Sequence, residues 1–183
     1  MKKFFLFVIV NIFIFRATSQ VEVYGRYTEG GKVAPDINVY GEKKISKKIS
    51  LTYFTLVEEK WAEALIGTSY SPTDWFSAGI SAGIEQNPAL FRMAGSLWFG
   101  KGKTSLLLLG EKGSGPDNYW YKTTLSYKFS DKFSFAARAW RYHGVGPVAT
   151  FFIKKLASSI WIMPAYDFEV DKKKLVFGFD IKI

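Results

Sequence analysis

The sequence predicts an all-β protein: a single closed antiparallel up-and-down transmembrane β-barrel of about twelve strands, with ten as the alternative count. Three observations predict it. Apolar residues recur with a period of two along most of the chain after Gln20, and no useful length of it shows the apolar spacing of a helix. The alternating segments are near the roughly 9–11 residues that a tilted strand needs to cross a bilayer. Short clusters of Gly, Pro, Asp and Lys separate them.

Residues 1–19 stand apart. Lys2 and Lys3 give a positive start, an apolar run from Phe4 to Phe15 is broken only by Asn11, and Ala17-Thr18-Ser19 supplies a small-x-small site ahead of Gln20. That is the three-part layout of a cleaved secretory signal peptide. The run is shorter than the ~20 residues of a spanning helix, and Arg16 closes it. The domain reading is therefore 1–19 as signal peptide and 20–183 as one barrel domain.

The chain has no cysteine. A small exported domain commonly leans on disulfides, so closure of the sheet has to hold this one together. The formal charge of +9 falls to 9 − 3 = +6 once Lys2, Lys3 and Arg16 are removed. The remaining lysines gather in turns: Lys43, Lys44, Lys47 and Lys48, then Lys101 and Lys103, Lys154 and Lys155, Lys172 to Lys174. They read as solvated turns near headgroups rather than as a nucleic-acid surface.

The strands are expected at 20–29, 35–43, 47–57, 60–71, 74–85, 89–99, 103–111, 117–129, 132–142, 147–154, 157–170 and 173–183. The last is the clearest. Leu175, Phe177, Phe179, Ile181 and Ile183 take one face, and Val176, Gly178, Asp180 and Lys182 the other. Ser71-Pro72-Thr73-Asp74, Gly100 to Lys103, Ser130 to Lys132 and Asp171 to Lys173 are compact hairpin links. Longer links are expected at 29–35, 111–117 and 143–147, all odd-numbered connections, hence on the rim opposite the chain ends. Pro164 inside a strand predicts a bulge or a break, and Leu106 to Leu109 leave their register open.

The apolar face is aromatic near strand ends, at Tyr27, Phe76, Phe99, Tyr119, Phe129, Phe133, Tyr166, Phe168 and Phe177, as two interfacial girdles require. The opposite face carries charges of both signs, as a hydrogen-bonded lumen does. A soluble sandwich, the competing fold, leaves that face simply wet.

Signal segment and strand pattern together cover the whole chain and resemble those of small bacterial outer-membrane β-barrel proteins. Leu175 to Ile183 resembles the C-terminal strand that the barrel assembly machinery reads in that class, although it ends in Ile183 rather than an aromatic residue. The resemblance implies a place in the bacterial outer membrane, contact with its lipid and insertion by that machinery.

Small inward residues at Ser77, Gly79, Ser81 and Gly83 favour open space inside. The functional reading is a narrow pore or ligand-holding barrel for small polar or anionic solutes. The candidate lumen and solute-binding residues are Arg92, Lys122, Lys128, Arg138, Trp140, Asp167 and Glu169. Arg138, Trp140 and Tyr142 are expected inward and Arg141 outward. Arginine offers bidentate contacts and the rings offer stacking. The alternatives are a structural or adhesive barrel with a closed lumen, and a lipid-modifying enzyme using His143.

Gly79-Ile80-Ser81-Ala82-Gly83 spells a nucleophile elbow, but inside a strand it lacks the sharp turn that motif needs. Gly95 to Lys101 fits a phosphate-binding loop only until Gly102, where Ser or Thr is required. One histidine and no cysteine argue against zinc, no cofactor is expected, and Asp167 and Glu169, which share a face, are read as partners in lumen salt bridges rather than as a calcium site.

Overall fold

The computed structural model describes residues 18–86 and 90–183. The signal segment up to residue 17 lies outside the described residues. Twelve strands follow in order: β1 Thr18–Thr28, β2 Val33–Lys44, β3 Ile49–Glu58, β4 Trp61–Thr73, β5 Phe76–Glu85, β6 Phe91–Lys101, β7 Thr104–Gly113, β8 Tyr119–Lys128, β9 Phe133–Trp140, β10 Gly144–Ile153, β11 Ser158–Asp167 and β12 Lys172–Lys182. Each pairs antiparallel with its neighbours in sequence, and β1 closes on β12 through a register from Gln20↔Lys182 to Thr28↔Lys174. Closure satisfies both edges, which is the only way a sheet can lie in hydrocarbon.

Period two places alternate residues outside. Ile80, Ile84, Ile66 and Met93 are among the outward side chains, all more than half exposed. Exposed aliphatics on this scale are costly in water and favourable against lipid. Aromatics flank the belt. Tyr27, Tyr119, Tyr166 and Phe168 lie at the rim of the odd-numbered connections; Trp75, Phe76, Phe99, Phe129 and Phe133 lie at the rim that carries the chain ends. Phe177 does not belong to a girdle: it sits mid-strand, paired with Gly25 and Ile162.

One local expectation changes and another resolves between its alternatives. The long link at 143–147 is replaced by a turn at residues 141–143, because Gly144 and Gly146 already belong to β10. A Cβ on Gly146 would stand 2.0 Å from the Pro164 carbonyl oxygen, so glycine there permits close approach rather than a turn. Pro164 makes the expected break rather than a bulge. The β10–β11 register is the same on either side, from Val145↔Tyr166 to Ala149↔Ile162, but the ladder lapses between these pairs. That register sets Pro147 opposite Pro164, and neither has an N–H to donate. The one register shift in the β4–β5 pairing lies between Tyr70 and Thr73, close to the rim.

The inside is divided. On the β9–β12 and β1 side, Tyr24, Trp140, Val148, Trp161, Met163 and Val176 pack into a core that fills that side of the barrel. Met163 and Val176 are wholly buried. Burying an aliphatic side chain of this size contributes about 1.5–3 kcal/mol. Opposite, β4 to β6 present Ser69, Ser77, Gly79, Ser81, Ala94 and Ser96, which are too small to meet that core.

Candidate functional site: the lumen

The gap between the large-residue half and the small-residue half is a cavity of about 900 Å³. Its walls include Glu42, Thr52 and Ser71 toward the rim with the chain ends. At the opposite rim they include Glu59 and Lys60 of the β3–β4 turn and Tyr142 of the β9–β10 turn. Leu107 and Leu109 line it and Leu106 and Leu108 do not, which settles the register that the leucine run left open.

Arg92 on β6 is the best-held charge in the lumen. Its Nε lies 2.9 Å from Glu63 Oε2 and 2.6 Å from Glu111 Oε2, and its Nη1 lies 2.8 Å from Glu85 Oε2. Nη1 also donates to Asn118 Oδ1 at 3.0 Å, and Asn118 Nδ2 donates to Glu85 Oε1 at 2.6 Å. Glu63 and Glu85 are direct cross-strand partners, a like-charge pairing that destabilises a sheet unless a cation lies between. Gly113 leaves room for the Glu85 carboxylate, since a Cβ there would stand 2.3 Å from Oε2. The expectation that Arg92 offers a guanidinium to an anion thus meets a different arrangement: three carboxylates already hold it.

Lys122 on β8 is placed differently. It lies against the cavity, its ammonium 4.1 Å from the centre of the Trp140 ring. Among the described residues no hydrogen bond or ion pair engages it. Arg138 stands behind the aromatic core rather than on the cavity wall. Its Nε donates to Thr124 Oγ1 at 3.1 Å, its guanidinium lies over Trp140 and Trp161, and its Nη1 is buried without a partner. Trp140 lines the cavity and anchors this cluster.

The other three predicted residues lie elsewhere. Lys128 is half exposed at the rim with the chain ends, 2.9 Å from Asp131. Asp167 is held by Lys174, and Glu169 by Arg141 at 3.4 Å, both toward the opposite rim. Arg141 corrects the expectation that it points outward. Tyr142 adopts a φ of 67°, which turns the chain so that Arg141 folds back. It is 9% exposed, 3.5 Å from the centre of the Tyr119 ring, and donates to the carbonyls of Asp117 and Tyr119.

His143 is buried at the end of the same turn. Its Nδ1 lies 3.1 Å from the Arg141 carbonyl oxygen and therefore carries the proton; its Nε2 has no partner, so no hydroxyl reaches it among the described residues. Burial, with Arg26 nearby, holds its pKa well below the ordinary histidine value.

No family model matches the chain, and no curated protein matches it in sequence. Solved structures do match in fold. The chain is similar to the KdgM porin, with a TM-score of 0.58 at 8% identity over 90% of this chain and 99% of that one. It is also similar to the NanC porin, with a TM-score of 0.57 at 9% identity over 89% of this chain and 100% of that one. At this identity the likeness establishes a shared fold, the closed antiparallel barrel.

Proposed function

We propose that the protein is a narrow outer-membrane pore for small polar solutes, with Lys122 on its Trp140 platform receiving a negatively charged group of the solute in passing. The observation that carries the reading is the cavity of about 900 Å³ whose walls reach both rims of a closed barrel. A barrel of about eight strands is just filled by side chains. Twelve strands with a small-residue wall on one side leave a path, and the half-core of Tyr24, Trp140 and Trp161 narrows it. The porin names of the structurally similar proteins support the reading, and the apolar belt with its two girdles supports the membrane location. Of the cations first expected to select solutes, Arg92 is engaged by carboxylates, which leaves Lys122 as the one on the cavity wall without an acid in contact.

The test is single-channel recording from protein purified from outer membranes into a planar bilayer. Discrete conductance steps are expected, with a salt-gradient reversal potential that moves toward cations in Lys122→Glu and stays put in Lys128→Ala. Insertion without conductance would favour the closed-lumen structural barrel instead.

A further inference from the structure

The outer wall carries a second crevice, at the rim with the chain ends and away from the lumen. It holds about 240 Å³ between Trp75, Phe99, Leu106 and Leu125, and Lys101 and Thr104 line its rim-side end. The registers Phe99↔Leu106 and Leu106↔Leu125 make a continuous apolar floor across β6, β7 and β8. Lys101 pairs directly with Thr104 one step nearer the rim, so a cation and a hydroxyl donor stand above that floor. Among the described residues Lys101 has no hydrogen bond or ion pair. Trp75 closes the side, 55% exposed, and its carbonyl accepts from Gly100 N–H at 2.8 Å, which fixes the turn beside the crevice.

We propose that this crevice is a binding site for one anionic glycerophospholipid, with an acyl chain on Phe99, Leu106 and Leu125 and the phosphate at Lys101 and Thr104. The inference goes beyond the pore reading and rests only on the barrel being in a membrane. Three features argue for that occupant. The floor is apolar and at girdle height, so hydrocarbon rather than water fills it. The cation above it is unengaged, and a phosphodiester is the anion found at that depth. The surrounding rim is also basic: four of its five turns carry or adjoin a lysine pair, against Asp74 and Asp131 as the acids in those turns. Juxtamembrane lysines attract anionic headgroups by about a fivefold enrichment each.

Trp75 is the reporter. Trp61, Trp98, Trp120 and Trp140 line the lumen and Trp161 lies in its core, so Trp75 is the tryptophan that lipid can touch. The full-length protein, processed and purified from outer membranes, is placed in zwitterionic vesicles containing a minor fraction of either brominated phosphatidylglycerol or brominated phosphatidylcholine. Quenching of tryptophan emission is then read. Phosphatidylglycerol is expected to quench at about a fivefold lower fraction than phosphatidylcholine. Lys101→Glu should abolish the difference, and Lys155→Glu, the same charge change across the barrel, should keep it. Equal quenching by both lipids, or equal loss in both variants, would overturn the site while leaving the pore intact. Absence of quenching by either lipid would overturn the site together with membrane exposure of this wall.

Discussion

Trp140 and His143 stack face to face, ring centroids 3.7 Å apart and planes 11° from parallel. Trp140 is the last residue of β9, and His143 N–H donates to its carbonyl at 3.0 Å, so the turn is locked by backbone and side chain together. The stack joins the lumen core to the rim opposite the chain ends, since Tyr24 contacts both rings.

Because burial holds His143 neutral, the folded barrel takes up no proton there while the unfolded chain does so below about pH 6.5. The folded pKa is depressed, so stability is full above about 6.5 and falls as pH drops below it. The expected loss between pH 6.5 and 5.5 is about 1 kcal/mol. His143→Phe keeps the stack and should flatten that segment of the profile. Urea unfolding in detergent micelles across this range checks it; identical slopes in both proteins would show that His143 is not the titrating group.

The Arg92 clamp makes a sharper demand. Removing the guanidinium leaves Glu63, Glu85 and Glu111 together in a buried site with no countercharge. Arg92→Gln should cost about 3–5 kcal/mol, and adding Glu111→Gln should restore part of it. A double-mutant cycle on unfolding midpoints reads the coupling. An Arg92→Gln barrel as stable as the parent would mean that the carboxylates are already protonated or hydrated.

These two clusters show what sequence can and cannot reveal. Strand number, faces and girdles were legible because each follows from period two within one strand, as Leu175 to Lys182 shows. The clamp was not, because Glu63, Glu85, Arg92 and Glu111 meet only through the registers of β4 to β7, and those depend on where each turn falls. The turn at 141–143 was misread for a different reason. Gly144 and Gly146 look like loop glycines in sequence, but β11 backbone passes too close for any side chain. Arg141 then followed the wrong parity, since strand alternation stops at Trp140.

Gly144 therefore carries a prediction of its own. It has a φ of 98°, and a Cβ would stand 2.6 Å from the Tyr166 carbonyl oxygen, a rigid backbone atom. Gly144→Ala combines backbone strain with overpacking and should cost about 2–4 kcal/mol. Gly110→Ala, where nothing lies within 4 Å of the new Cβ, should be neutral. Yield of the heat-modifiable folded band on cold gels compares them directly.

The dimensions of the path can be tested without altering its charge. Ala94 lines the small-residue wall of the cavity, on β6 between Ser81 of β5 and Glu111 of β7. A tryptophan there adds bulk facing the Trp120 and Trp140 side, and the cavity has room for it because its volume lies against this wall. Ala94→Trp should fold and insert normally yet lower single-channel conductance several-fold. Trp140→Ala removes bulk from the opposite side and should raise conductance, at a stability cost of about 3–5 kcal/mol. Opposite signs in the two variants would place the conducting path between these walls. An Ala94→Trp barrel that conducts like the parent would move the path elsewhere and leave the cavity to hold a ligand rather than pass one.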